Sequence, residues 1–502
     1  MMNVLIYCKP SLEGRAFHNS AHWVWLGHQL AKAFLNEGHA VSICLNSHQM
    51  ERWYKQNDSL LDRIENKFVV DFPSDITAGR FTLDHFLAAS GSETNISAPL
   101  EVLKKTVGDA KFDCIISVCD RGILPRSAFP EAMHFSFVES PFTRAPYPRL
   151  WALDTTGIDR SDVFHTGVAS AYLKGITDAE IGAARRFAGD MSRKLKGRQL
   201  SELSLGRLRS KNVLVALQKE GVSALDTYTP YPSQLDFLLD VLETIPPDVG
   251  AVVTEHPQYP VIEKSAFTYL RENYPNLLFY PKWMAVEGVS QNLLSIVDAA
   301  IVQTSTVGIQ ASLIFGKPAI CVAPESRVGP FVPCHDMTAL RDIVSIPVLS
   351  EEDRYRLLAF QLFRYAFSDE AAFENGQLVK TVAQAVAKRD VNSVYAEEFA
   401  SRERSLQRGM AKVVNSGGKP RPFDKLIHLP GAPIALIDTF MAYQERAVAQ
   451  QQAAVNAHQK APPKRKPGRD TLKWKILYAL EAVLPPAIVR PSEKVLKKLK
   501  VI

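Results

Sequence analysis

The stretch from Ser295 to Ile320, SIVDAAIVQTSTVGIQASLIFGKPAI, decides the fold. Ile296 to Val302 is a short run rich in Ile, Val and Ala, the pattern of a strand covered on both faces in a parallel sheet. It stops at Gln303-Thr304-Ser305-Thr306. The three hydroxyl residues are candidate N-caps, because a hydroxyl oxygen accepts from an exposed N–H of a first helical turn. Val307, Gln310, Ala311 and Ile314 then recur at helical spacing. Gly316 is placed to end that helix and Pro318 keeps it ended. AICVA, residues 319–323, reads as the next strand. The unit is β–α–β, with a hydroxyl-rich helix start at the carboxyl end of a strand. In open α/β sheets ligands sit at that end. A helix start with free N–H groups and the positive end of a dipole suits a phosphate. The alternative is a well-capped helix with no ligand.

Outward from this unit the same alternation continues. NVLIYC (3–8), AVSICLN (40–46), FDCIISVCD (112–120) and MHFSFVES (133–140) read as strands of one sheet. NVLVALQ (212–218), GAVVTEHP (250–257), NLLFYP (276–281), DAAIVQTS (298–305) and PAICVA (318–323) read as strands of a second. SAHWVWLGHQLAKAFLNEGH (20–39) reads as a helix between the first two strands, a common Rossmann-type opening. It carries no GxGxxG, so no dinucleotide site is indicated. The loop KPSLEGRAFHNS (9–20) is long and polar and faces the carboxyl-end cleft by topology.

The expected architecture is therefore α/β, with two Rossmann-like domains facing a central cleft. Residues 1–170 form the first, acceptor half. Residues 171–210 look helical and charged, a bridge between domains. Residues 211–400 form the second half, with 350–400 helical and closing it. Residues 401–460 are a helical extension. No solenoid-type repeat is present.

A chain of 502 residues is too long for one hydrophobic core. Its 46% hydrophobic and 22% charged content is that of a globular protein. The six cysteines form no CxxC pair and most lie in or beside apolar runs, which fits reduced core thiols in a cytoplasmic protein. The opening MMNVLIYCKP lacks a basic n-region and a cleavage signal, and no apolar run reaches transmembrane length.

The net charge of +6 is a property of one end. Residues 460–502 hold twelve Lys or Arg against three Asp or Glu, so the tail carries +9 and the rest of the chain −3. That argues against a nucleic-acid-binding body and towards a basic anchor. After the linker APPKRKPGR (461–469), Leu472, Ile476, Leu480 and Val483 share one helical face, with Trp474 and Tyr478 nearby. Residues 461–502 thus read as an amphipathic tail lying on an anionic membrane surface, the alternative being a helix packed back on the body.

Four constellations end strands and face one cleft if the two-half reading holds. They are Gln218 and Lys219; Glu255, His256 and Pro257; Thr304, Ser305 and Thr306 with Gly308; and, from the first half, Glu139 and Arg144. A phosphate at Thr306 can take a charge-assisted bond from His256 or Lys219. Pro257 restricts His256 to an extended backbone and so fixes its aim. Glu139 is a candidate general base towards an acceptor hydroxyl, or else an ion-pair partner of Arg144. His18 and Asn19, in the loop after the first strand, are candidate acceptor contacts. His18, His22, His28 and His39 lack carboxylates at matching spacing, so no metal site is expected.

The HP at 256–257 followed by QTSTVGIQASLIFGKPAI at 303–320 resembles the capsular polysaccharide β-Kdo transferases and, more distantly, the bacterial GT-B sialyltransferases. In those enzymes an HP motif and a Ser/Thr motif hold the phosphate of CMP. LQKEGVSALD (217–226) is similar to the family's strand ending in Gln with a downstream Asp, here Asp226. VESPFTRAPYPRLWALDTTGIDRSD (138–162) is similar to its acidic-Gly-Phe-Leu-Arg segment, which runs on to Asp-x-x-Gly-Ile/Val, here Asp154 to Ile158. The resemblance spans residues 112–330 in order. It implies the GT-B fold, a nucleotide-sugar donor with CMP-Kdo favoured, a lipid-linked glycan or phospholipid acceptor, no cofactor and no metal. With the basic tail it implies a cytoplasmic enzyme peripheral at the inner membrane face.

One departure bears on the base. The family reads acidic, acidic or Asn, then Gly, where this chain has Glu139-Ser140-Pro141. Ser140 cannot serve, so the base is Glu139 or lies elsewhere, for example at Asp120. Two other classes stay open: a UDP-sugar enzyme, either a hexosyltransferase or a UDP-GlcNAc 2-epimerase, and a non-catalytic polysaccharide-assembly factor.

Overall fold

The computed structural model describes residues 1–10, 17–54, 59–72, 96–142, 146–197, 208–219, 223–256, 261–262, 264–279, 288–396 and 399–415. Its strands are β1 (Asn3–Tyr7), β2 (Ala40–Leu45), β3 (Asn66–Val69), β4 (Cys114–Val118), β5 (Met133–Glu139), β6 (Leu150–Asp154), β7 (Lys211–Ala216), β8 (Val249–Thr254), β9 (Leu277–Leu278), β10 (Ala299–Val302), β11 (Ala319–Cys321) and β12 (Ala366–Ser368).

They form two sheets. The first runs β12-β6-β5-β4-β1-β2-β3 and the second β11-β10-β7-β8-β9. Leaving β6 and β12 aside, each sheet holds five parallel strands in the same order of appearance: third, second, first, fourth, fifth. That is the doubly wound order. The fold is the expected α/β architecture of two Rossmann-like halves, the GT-B class. The order reverses between β1 and β4 in one sheet and between β7 and β10 in the other.

The central strands are mostly apolar because both faces are buried. On β7 the pleat sends Leu214 and Ala216 into a core that extends under the first sheet, and Val213 and Val215 into a separate core. Gly27 lets the helix Phe17–Asn36 lie against the end of β1, since a Cβ there meets Cys8 Sγ at 2.3 Å and Trp53 at 3.3 Å.

Three strands were not foreseen: β3 at the edge of the parallel set, and β6 and β12 outside it. β3 is an edge strand with exposed and half-buried residues rather than an apolar run. β6 turns back antiparallel on β5. β12 comes from within 350–400, the segment expected to close the second half; it pairs antiparallel with β6 in the first sheet. The chain thus returns to the first half. The Arg364 guanidinium pins that return, its Nε 2.6 Å and its Nη2 3.1 Å from the fully buried Glu180 carboxylate on the helix Asp178–Gly197. Two guanidinium donors on two carboxylate oxygens satisfy a charge that would otherwise be costly to bury.

Helix Phe399–Asn415 opens the expected extension. The rest of 401–460 and the tail 461–502 lie outside the described residues. Among the described residues no helix is long and apolar enough to cross a membrane.

Candidate functional site

At the reversal in the second sheet, the strand ends of β7 and β10 are joined by side chains. Gln218 Oε1 accepts from the Thr304 backbone N–H at 3.0 Å and from the Thr304 hydroxyl at 3.2 Å. Gln234 Oε1 in turn accepts from the Gln218 N–H at 2.8 Å. With its oxygen so engaged, Gln218 is left with its amide N–H2 as the end that can meet a ligand, and that end only donates. Lys219 follows, and partial burial lowers its pKa. Gln303, one residue before Thr304, is 1% exposed, and neither of its amide atoms has a hydrogen-bond partner among the described residues.

The expected helix is present and ends at Gly316, whose φ is 60°. Its α-helical turn Val307–Gln310 passes into a π-type turn over Ala311–Phe315. Arg354 caps the exit, donating to the Leu313 carbonyl at 2.9 Å and to the Ile314 carbonyl. The triple-hydroxyl cap is corrected. Thr304 spends its hydroxyl on Gln218, and Thr306 has helical angles (φ −60°, ψ −11°) and caps nothing. Ser305 Oγ alone accepts, from the Val307 N–H at 3.4 Å. Gly308 is needed for packing: a Cβ would stand 2.8 Å from Val302 and 3.1 Å from Val328.

β8 ends beside this crevice's strands. Glu255 is buried, and its Oε1 accepts from the N–H groups of Val261 at 2.8 Å and Ile262 at 2.6 Å. This clasps the chain on both sides of residues 256–260. Burial pushes the Glu255 carboxyl up to about 7, against the pull of those two bonds. His256 is half-buried directly after it. Pro257 lies outside the described residues, and so does the Asp226 side chain on the helix Ser223–Tyr228.

The first half presents charged groups instead. Glu139 ends β5, its carboxylate 39% exposed, with Oε1 3.3 Å from His22 Nε2. The His22 ring clusters with two indoles, 6.3 Å from Trp25 and 6.1 Å from Trp151, which lie 5.9 Å from each other. Burial lowers the His22 pKa; Glu139 opposes this and Arg149 adds to it. At the ends of β1 and β4, Lys9 and Cys119 hold left-handed angles, φ 49° and 51°. Strained non-glycine backbone of this kind persists only where surrounding structure enforces it. Burial, with Glu139 adding, pushes the Cys119 thiol up to about 12, while Lys9 and Arg327 pull the other way. Lys9, Cys119, Glu139 and Arg327 therefore share one electrostatic neighbourhood.

Arg327 comes from the loop after β11, in the second half. Its Nη2 donates to the Glu139 carbonyl at 2.6 Å. Gln310 Nε2, one turn into the helix, donates to the Pro141 carbonyl at 3.0 Å. Arg121 Nη2 donates to the Tyr228 hydroxyl at 2.5 Å. The end of β5 thus stands against the helix that starts at Thr306. Asp154 organises the chain beyond it, accepting from the N–H groups of Thr156, Gly157 and Val163 and from the Tyr365 hydroxyl.

His18 and Asn19 were expected in a loop. The helix begins at Phe17, so both are helical in backbone, with side chains outside the described residues. Arg144 also lies outside them. His22, Arg327 and Gln310 were not foreseen. Arg327 carries the same signal as the other sites, a polar residue shortly after a strand, and the run AICVAPESR displays it.

No family model matches the chain, and no curated protein matches it by sequence. Among solved structures it is similar to the β-Kdo 2,7 transferase KpsC of Thermosulfurimonas dismutans, at 15% identity and a TM-score of 0.39, over 75% of this chain and 99% of that one. It is also similar to UGT89C1 of Arabidopsis thaliana complexed with UDP, at 14% identity and TM-score 0.35, over 77% and 99%. A third is sucrose-phosphate synthase of Thermosynechococcus elongatus, at 14% identity and TM-score 0.33, over 77% and 100%. These are likenesses of overall architecture. The functional reading rests on this chain's own residues.

Proposed function

We propose that the chain is a glycosyltransferase of capsule or surface polysaccharide synthesis that takes a sugar, Kdo from CMP-Kdo favoured, from a nucleotide donor to a lipid-linked or glycan acceptor. The observation that carries this is the Gln218–Thr304 pair spanning the strand reversal, where doubly wound sheets bind ligands. It leaves donors at the crevice. Gln218 N–H2, the Ser305 and Thr306 hydroxyls, His256 and Lys219 are the groups offered to the donor's phosphate.

Glu139, from the facing half, takes the proton of the acceptor hydroxyl as its oxygen bonds to the anomeric carbon. The bond from that carbon to the phosphate oxygen breaks, and its electron pair leaves with the nucleotide. Hydrogen-bond donors already in place stabilise that developing charge. The basic tail, 461–502, would bring the enzyme to an acceptor at the inner membrane face.

A thermal-shift panel with CMP, UMP, UDP, GDP and ADP, on wild type and His256→Ala, tests this. A ligand that binds only the folded state raises Tm by mass action. A shift with CMP that His256→Ala loses is the expected result. A shift with UDP alone keeps nucleotide-sugar chemistry and removes CMP-Kdo. No shift with any nucleotide favours the assembly-factor reading.

A further inference from the structure

His165 has an acceptor on each ring nitrogen. Nδ1 lies 2.9 Å from Asp162 Oδ1, and Nε2 lies 3.0 Å from the Pro324 carbonyl oxygen. The same Asp162 oxygen accepts the backbone N–H groups of Phe164 and His165, each at 2.9 Å. An oxygen that already takes two backbone N–H groups meets the ring as an acceptor, and so does a carbonyl oxygen. A neutral imidazole carries one N–H and satisfies one of the two partners; the imidazolium satisfies both.

We propose that His165 is a proton-controlled latch between the two halves: as imidazolium it bonds Asp162 of the first half and Pro324 of the second at once, and loss of its proton releases one end.

What the latch holds is the loop after β11. That loop folds tightly on Pro324, since a Cβ at Gly329 would meet the Pro324 carbonyl oxygen at 1.8 Å. Ser326 Oγ donates to the Ala323 carbonyl at 2.7 Å. Three residues beyond Pro324, the Arg327 N–H donates to Asp159 Oδ1 at 3.2 Å, and its guanidinium reaches the Glu139 carbonyl. Phe164, next to His165, packs on Phe331 at 4.6 Å. Releasing Pro324 therefore loosens the segment that carries Arg327 to the end of β5.

The charges around the ring come from both halves. Asp162 and Asp159 favour the imidazolium, as does the bond to Pro324, while burial acts against it; the balance raises the His165 pKa. Burial raises the Asp159 pKa, while Arg327 and Arg121, facing it, favour its charged form. Asp154, beside Asp162 on β6, has its own carboxyl pushed up by burial and by Asp162, and it is bonded by Tyr365. A histidine whose folded pKa is raised contributes stability fully below its ordinary value near 6.5, and loses it as pH rises through the folded value. The joint is thus tightest on the acidic side.

This inference stands apart from the nucleotide reading, and its test needs no substrate. Histidine-selective ring labelling of the full chain, with His165 assigned by its loss in His165→Gln, gives the titration by NMR. A ring with both N–H groups and a midpoint above 6.5 is expected. Asp162→Asn keeps an oxygen for the amides of Phe164 and His165 but removes the charge, and the midpoint should fall by about 1 to 3 units. Deuterium uptake over 323–331, corrected for intrinsic exchange, should rise several-fold above the wild-type midpoint and lose that pH dependence in His165→Gln. A midpoint at or below 6.5 overturns the proposal. So does a raised midpoint with loop exchange that ignores it.

Discussion

At the strand reversal of the second sheet, β7 and β10 end in neutral groups, the Gln218 amide and the Thr304 hydroxyl, bonded to each other. At the matching reversal of the first sheet, β1 and β4 end in Lys9 and Cys119 with left-handed backbone, and Glu139 and His22 stand close by. One strand order carries two kinds of crevice. The neutral pair spends the Gln218 oxygen internally and keeps donors for a ligand, which suits an anion. The charged one sets a half-exposed carboxyl group 3.3 Å from an imidazole nitrogen, which suits proton transfer. Fold alone cannot make that distinction, because both sheets are wound alike.

The largest expected effect comes from removing the proposed base on the charged side. Glu139→Gln keeps the backbone carbonyl that Arg327 uses and should lower the transfer rate by about 10² to 10⁴-fold, with nucleotide binding unchanged. Steady-state transfer assays alongside thermal shifts would check it. Normal turnover in this variant would break the comparison and move the base to another group such as Asp120.

On the neutral side, Gly308→Ala forces a Cβ onto Val302 and Val328. Overpacking of this kind costs about 1–3 kcal/mol. A lower Tm and weaker nucleotide binding together are expected, since the same helix start carries Ser305 and Thr306. A loss of stability with binding intact would separate the helix from the site.

The smallest effect concerns Glu255. Its folded pKa, raised from 4.5 to about 7, means that its contribution is full below 4.5 and lost as pH rises through about 7. Glu255→Gln keeps an oxygen for Val261 and Ile262 and has nothing to titrate. The wild-type Tm should fall relative to the variant across that window. Parallel Tm curves would show that the carboxyl is ionised throughout.

Much of this was legible in the sequence. The central parallel strands are continuous aliphatic runs because both faces are buried, so β1, β4, β7 and β10 could be read directly. Gln218 and Thr304 were legible as polar residues at strand ends, but their mutual bond was not, since it joins residues far apart in the chain. β6 and β12 escaped because LWALD follows a proline-rich stretch and AFS is only three residues long. Their pairing depends on the chain returning to the first sheet, which no local pattern encodes. His22 escaped because its importance lies in facing Glu139 from another element. The hydroxyl cap was overread for a related reason: Ser and Thr beside a helix start signal a cap, yet Thr304 finds a better partner across the sheet.

The most direct measurement is the affinity of Gln218→Glu for the nucleotide that shifts the wild type, by calorimetry. A glutamate still offers an oxygen to the Thr304 N–H and hydroxyl, so the unliganded Tm should stay near that of the wild type. The donor end, however, becomes a second anionic oxygen facing the phosphate. The account predicts affinity weaker by about tenfold or more, the loss of a charge-assisted bond. A folded Gln218→Glu protein that binds nucleotide as tightly as the wild type would contradict it.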